Sequence, residues 1–327
     1  MSGRTVESEL ASFENFFEHK APRLFETTKL ADHAFKIAPK NLVASIPGKQ
    51  LGLVIMALTH GNEVGGLGVL NDLLDLLDAR PELLTIPLGL VLGNPWAARR
   101  GQRFIDRDLN RSFARQESQV LEDKRARVLE PILSEAAYFL DIHQTTEPAE
   151  APFFIFPYTA RTFRFARAIA PTLPIVTHWG DPFSAEGRCS DEFVILRGGT
   201  AITMELGQSG FHPYQIACGY HAALHALIAA TDALVGKEWP EPRTQANIFT
   251  WAKIYPWPEG TVALDQGWTN FKQVAVGQRL GEINGQAFFS EFEGNVLFPK
   301  YQRGPELQKP TELICIMRRI REDDLGT

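Results

Sequence analysis

His60 and Glu63 form an H-x-x-E pair directly after the apolar run 51–58, and His143 directly follows another run, 138–142. Two imidazoles and one carboxylate are the ligand set of a catalytic zinc site, which leaves the fourth tetrahedral position open for water. Zinc held there can lower the pKa of that water from about 15.7 to roughly 7. The H-x-x-E spacing alone is common by chance, and a single histidine is more often a satisfied structural residue. Joint placement behind buried runs is what singles out these three. Gly61 and Asn62 suit a tight loop that brings His60 and Glu63 to one centre.

A second candidate group lies in 99–115, where Arg99, Arg100, Arg103, Arg107, Arg111 and Arg115 face only Asp106 and Asp108, a local charge of +4. Arg99, Arg100 and Arg115 fit a solvated loop with surface ion pairs. Asn110 and Arg111 suit another task, since a guanidinium fork beside an amide grips a carboxylate with bidentate geometry. Arg103 beside a metal suits polarising a carbonyl and stabilising the oxyanion that develops. Glu205 closes the run 200–206 (TAITMEL) and is either a paired structural group or a general base. A metal site at the same sheet edge favours the base.

These residues need elements to carry them. The run 51–58 (LGLVIMAL) has the look of a strand buried on both faces. Leu67, Leu70, Leu73, Leu74 and Leu77 then predict a helix over 64–79. Further strands are expected at 86–92, 138–142, 153–156 and 200–206, and helices at 6–18, 117–137, 160–170 and 214–235. This alternation implies an α/β domain with a mostly parallel mixed sheet flanked by helices. Such sheets collect sites outside the carboxyl ends of their strands. Near 240 the style changes. The segment 238–243 (EWPEPR) reads as a linker, and the short alternating runs after it read as all-β. The expected division is a catalytic α/β domain over 1–240 and a smaller C-terminal all-β domain over 241–327.

Composition narrows the function. The 327 residues carry 33 basic and 39 acidic side chains, a net charge of −6, with 44% hydrophobic and 22% charged residues. That is a globular balance, and a poor one for nucleic acid or an anionic membrane. A small anionic substrate stays compatible, because the +4 segment sits in the motif expected to line the site, beside a predicted dication. Three cysteines, Cys189, Cys218 and Cys315, make no disulfide framework. The first 17 residues hold no apolar signal segment, and 51–58 falls far short of the roughly 18 residues of a membrane span. A soluble, cytoplasmic protein is the expectation. No G-x-G-x-x-G follows the first strands and no P-loop occurs, which argues against a nucleotide enzyme.

Four segments in order, T-H-G-N-E (59–63), N-P-x-A-x-R-R-G-x-R-F-I-D-x-D-L-N-R (94–111), D-I-H-Q-T-T (141–146) and M-E-L-G (204–207), resemble the succinylglutamate desuccinylase/aspartoacylase family. That family is a branch of the zinc carboxypeptidase-like fold, and the tail from about 245 is also similar to its second domain. The resemblance implies one Zn2+ per chain on His60, Glu63 and His143, with Glu205 as general base and Arg103 polarising the amide carbonyl. It implies that Asn110 and Arg111 bind a substrate α-carboxylate, and that the reaction is hydrolysis of a small N-acyl amino acid such as an N-succinyl or N-acetyl derivative. No motif locates a site for a second substrate carboxylate. Arg188 and Arg197, before Glu205, are the candidates, with Tyr301 a further one from the tail. His178 and His212 read as structural. The segment 277–281 (GQRLG) resembles hairpins of biotinyl- and lipoyl-type domains but lacks a Met-Lys-Met tip, so no carrier lysine is expected. A wall, a lid or a homo-oligomer contact is the expected role of the tail. The rivals are a metallocarboxypeptidase-type peptidase and a non-catalytic ligand-binding member of the fold. The second would show a missing ligand or base, and none is missing.

Overall fold

In the computed structural model, which describes residues 3–41, 48–116, 118–179, 187–302 and 311–325, the chain opens with helix α1 (Val6–Asn15). A π-helical turn, Phe16–Lys20, leads to α2 (Ala21–Leu24). A hairpin, β1 (Glu26–Ala31) and β2 (Ala34–Ala38), precedes β3 (Leu51–Ala57), α3 (Gly65–Ala79), β4 (Leu88–Leu92) and α4 (Pro95–Arg99). Then come α5 (Leu121–Ser134), β5 (Ala136–Thr145), β6 (Phe153–Pro157), α6 (Ala160–Ile169) and β7 (Ile175–His178). The α/β part closes with α7 (Ser190–Leu196), β8 (Thr200–Gln208) and α8 (Pro213–Leu234). No helix among the described residues is long and apolar enough to cross a membrane.

The strands expected from apolar runs all form, because each is buried on two faces. Along β3, Leu53, Ile55 and Ala57 pack on the α1, α3 and α8 side, while Val54 and Met56 between them pack on the α5 side. This two-residue period explains why the run carries no polar residue. Strands β4, β3, β5 and β8 pair in parallel; β6 runs antiparallel to β8, and the β1–β2 hairpin lies antiparallel on β4. The hairpin, β7 and α7 were not expected. The hairpin escapes a hydrophobic criterion because β1 (ETTKLA) is an edge strand with no buried position.

Among the described residues after 240 the regular elements are strands and a short 3-10 turn: β9 (Ile248–Pro256), β10 (Val262–Leu264), β11 (Gln273–Val274), β12 (Arg279–Ile283), β13 (Gln286–Phe289), β14 (Gly294–Leu297) and β15 (Glu312–Ile320). The alternating runs thus form strands, but the tail is not separate in its hydrogen bonding. Strand β9 pairs in parallel with β7, so one 12-stranded sheet runs β1-β2-β4-β3-β5-β8-β6-β7-β9-β15-β14-β11. Only β10, β12 and β13 form a sheet of their own. This continuity brings Phe298 and Lys300, just after β14, and Glu312, at the start of β15, to the same pocket as His143 of β5 and Glu205 of β8.

Candidate metal centre and pocket

His60, Glu63 and His143 converge with one ligand atom each lying within 4.8 Å of the others, all three side chains buried. Among the described residues no other group of histidine, cysteine or acidic side chains does so. His60 Nδ1 lies 2.8 Å from Glu63 Oε1, and His143 Nδ1 lies 3.0 Å from Glu63 Oε2. The opposite imidazole nitrogens face carboxylates: His60 Nε2 is 2.9 Å from Asp108 Oδ1, and His143 Nε2 is 2.9 Å from Asp141 Oδ2. A carboxylate behind each imidazole is the outer-shell arrangement that orients metal-ligating histidines. His60 Nδ1 is buried with no hydrogen-bond partner. The donor set and this orphaned nitrogen fit a divalent cation.

Local sequence explains the placement. Gly61 is needed for close approach rather than for a turn conformation, since a Cβ there would stand 2.3 Å from the Ala98 nitrogen. Its own N–H donates to Arg103 O at 2.9 Å, which ties the His60 loop to the arginine-rich loop. The backbone N–H of Gln144 donates to Glu63 Oε2 at 3.0 Å. His143 and Glu205 are register partners on the parallel strands β5 and β8. Ile142 and Met204 point into the core on one side, so His143 and Glu205 share the other. Asp141, two residues before His143, lies on that same face. It accepts hydrogen bonds from Thr59 Oγ1 at 2.9 Å and Ser190 Oγ at 2.5 Å.

Electrostatics agree with a cation site. Burial would raise the Glu63 carboxyl, but the imidazoles of His60 and His143 hold it well below the usual range. Burial would lower the His143 imidazole, but Asp141 and Glu63 more than offset this and hold it well above its ordinary value. Burial and the neighbouring Glu63 push the Glu205 carboxyl up to about 7. Glu205 Oε2 is buried without a hydrogen-bond partner.

These groups line one pocket, whose empty space with the open mouth included is about 730 Å3. Arg103 lines it and bridges Glu63 Oε1 at 3.0 Å and Asp108 Oδ2 at 3.1 Å. Asn110 and Arg111 line it too. Asn110 Oδ1 accepts the Ser190 N–H at 2.9 Å, which turns its NH2 end toward other partners. Arg111 donates to Asn110 O at 2.7 Å and to Cys189 Sγ at 3.2 Å. The buried Glu122 carboxylate accepts the N–H groups of Ile105, Asp106 and Arg107, fixing the loop that carries these residues. Arg99 pairs loosely with Glu7 and Glu14, and Arg115 with Asp123, so only part of the +4 segment faces the pocket.

Two substrate candidates are not brought to the pocket. Arg197 follows α7, is exposed, and stacks 5.2 Å from the Phe193 ring centroid. It precedes β8 and so stands at the amino end of that strand, whereas Glu205 stands toward the carboxyl end. Arg188 pairs through its backbone with Phe113 and is absent from the pocket lining. Tyr301 is structural: its hydroxyl accepts the Trp268 N–H at 2.7 Å. His178, read as structural, lines the pocket at the end of β7, while His212 is exposed near Ser209. The sequence reading gave no role to Asp108, Asp141, Asp191, Phe298, Lys300 and Glu312. Asp141 was detectable as the one charge in the run 138–142, two residues from His143. Lys300 and Glu312 left no such trace, because only the tertiary fold brings them to the site.

Asp191 yields a pH prediction. Burial, with Glu192 beside it, pushes its carboxyl up to about 7, against about 3.9 in an unfolded chain. Between those values the folded chain keeps a proton that the unfolded chain has lost, so this group makes stability fall as pH rises from about 4 to about 7 and level off above. Asp191→Asn is expected to gain on wild type across that interval. The variant-minus-wild-type difference in urea midpoint should grow between about pH 5 and about pH 8; a constant difference would refute the assignment.

An α/β fold with an imidazole–carboxylate–imidazole centre at the carboxyl ends of its parallel strands defines the class. Residues 49–227 match the model of the family described as succinylglutamate desuccinylase/aspartoacylase catalytic domain. The chain belongs to this family. It is 32% identical over 204 residues to a succinylglutamate desuccinylase of Serratia proteamaculans (strain 568), covering 56% of this chain and 60% of that relative. The matched stretch therefore spans about three fifths of that relative's length. The fold is similar to the crystal structure of a succinylglutamate desuccinylase from Chromobacterium violaceum, with TM-score 0.67, 20% identity, and coverage of 94% of this chain and 98% of that one. Murine aminoacylase 3 is similar with TM-score 0.61 and 19% identity, over 84% of this chain and 96% of that one.

Proposed function

We propose that this chain is a zinc-dependent deacylase that hydrolyses the amide of a small N-acyl amino acid, such as an N-succinyl or N-acetyl derivative, to a carboxylate and a free amino acid. The observation that carries this reading is the convergence of His60, Glu63 and His143 beside Glu205 in one pocket with Arg111. His60, Glu63 and His143 hold one zinc, which supplies Lewis acidity for activating water and polarising a carbonyl. Glu205 accepts the proton of the attacking water and returns it to the departing amine nitrogen. Arg103 donates to the carbonyl oxygen as negative charge gathers there. Asn110, through its NH2 end, and Arg111 hold the α-carboxylate and so fix the amide relative to Glu205. The reading also divides the chain: 1–240 carries the chemistry, and 241–327 walls the pocket through Phe298, Lys300 and Glu312.

A panel of N-acetyl and N-succinyl amino acids alongside short peptides, assayed with zinc, tests this. Peptides cleaved as efficiently as acyl amino acids would move the reading to a peptidase. Arg111→Ala is expected to raise KM roughly 10- to 100-fold, the equivalent of a lost hydrogen bond to a charged group at about 1.5–3 kcal/mol. An unchanged KM would remove the α-carboxylate clamp.

A further inference from the structure

The stretch that leads from Arg103 to Arg111 has little secondary structure of its own. Between α4, which ends at Arg99, and the 3-10 turn Leu109–Arg111, no strand or helix supplies partners for the backbone. Among the described residues no backbone carbonyl accepts the N–H groups of Ile105, Asp106 and Arg107. An N–H turned away from water needs an acceptor, and one side chain outside the loop serves all three. Glu122, in the first turn of α5 and 1% exposed, takes the Ile105 N–H at 2.7 Å on Oε1. Its Oε2 takes those of Asp106 and Arg107, each at 3.1 Å. Oε1 also accepts from Asn94 Nδ2 at 2.9 Å, and the Asn94 N–H donates to Leu58 O at 2.7 Å, two residues before His60. One carboxylate therefore joins the loop of a metal ligand to the loop of arginines.

Both ends of the held triplet lead to the site. Two residues before Ile105 stands Arg103, which bridges Glu63 and Asp108. Directly after Arg107 stands Asp108. Its Oδ1 faces His60 Nε2 at 2.9 Å and accepts the Asn110 N–H at 2.8 Å, so it shapes the turn that carries Asn110 and Arg111. Converging N–H groups on one carboxylate are charge-assisted bonds. An amide in its place keeps one accepting oxygen and turns its NH2 end on two of the four donors. We infer that Glu122 is a positioning residue for the reaction. Through the 105–107 backbone it sets Arg103 against the metal centre, and Asn110 and Arg111 against the substrate carboxylate, while itself lying outside the pocket lining. This inference rests on the deacylase reading above.

Kinetics of Glu122→Gln are measured on the zinc-loaded full chain with the N-acyl amino acid that wild type cleaves best. KM is expected to rise and kcat to fall, each by about tenfold or more, the equivalent of one lost charge-assisted hydrogen bond. A residue that only supports the fold would lower Tm and the folded fraction, which reduces the maximal rate and leaves KM alone. In an Arg111→Ala background the same substitution should raise KM less than about twofold further, because the clamp it positions is already gone. An unchanged KM in the single variant, or a full further rise in the Arg111→Ala background, would overturn the assignment. Glu122→Asp keeps the charge but draws the oxygens back by one methylene. If Glu122→Gln does not fold, Glu122→Asp is expected to move KM and kcat in the same directions, and a wild-type KM there overturns the assignment equally. Amide hydrogen exchange reads the clamp without turnover. Exchange over 105–111 should be at least about tenfold faster in the variant, with α5 unchanged. If wild type hydrolyses none of the N-acyl amino acids, the deacylase reading fails and exchange decides alone. Lost protection then keeps Glu122 as the residue that positions this wall of the pocket, and unchanged protection overturns it.

Discussion

Glu205→Gln is expected to lower kcat by about 10²- to 10⁴-fold, the span that a positioned acid or base contributes, with zinc content unchanged. The amide keeps the shape of the side chain and removes its capacity to take a proton. Glu205 is the register partner of His143, not a member of the converging triad, so zinc should stay. Its Oε2 is buried without a partner, so no internal donor competes for the proton it must accept. Burial and the neighbouring Glu63 raise its carboxyl to about 7. A base must be ionised to act, so activity falls on the acid side of that titration. A bound dication stabilises the carboxylate and moves this limb downward. The limb should be present in wild type and absent from whatever activity the variant retains. A kcat within a few-fold of wild type would strip Glu205 of the role, and lost zinc would show that it supports the metal instead.

Much of this centre was legible before any coordinates, for a physical reason. A strand buried on both faces is mostly apolar, so a titratable side chain at or just past the carboxyl end of an apolar run is singled out as one with a task. His60, His143 and Glu205 stand at such points. Periodicity also makes Asp141 legible in retrospect, because residues two apart on a strand share a face. Arg197 shows the limit of reading proximity from order along the chain. It lies eight residues before Glu205 but precedes the strand, and a parallel strand separates its two ends by its whole length. Lys300 shows the other limit. Nothing in F-P-K-Y-Q distinguishes the lysine from Tyr301. Only the pairing of β9 with β7, which carries the tail strands onto the main sheet, brings one of them into the pocket and leaves the other closing a turn over Trp268.

His60→Ala is expected to abolish stoichiometric zinc binding, with metal analysis falling from about one zinc per chain toward zero and activity falling with it. Three protein ligands leave little redundancy, and the removed imidazole carries the one ring nitrogen of the centre that faces Glu63 without a hydrogen-bond partner. A second readout needs no substrate. A ligand that binds only the folded chain stabilises it by about 2.7 kcal/mol at a hundred times its dissociation constant, so zinc should raise the Tm of metal-free wild type and leave that of His60→Ala unmoved. Both imidazoles must be neutral to ligate, so the zinc-induced shift should shrink as pH falls. Loss of His60 also removes the group between Asp108 and Glu63, leaving Arg103 as their shared cation, so the variant is expected to fold. Zinc retained at one per chain in a folded His60→Ala protein would place the metal elsewhere and remove the basis for assigning Glu205 and Arg103 to the same reaction.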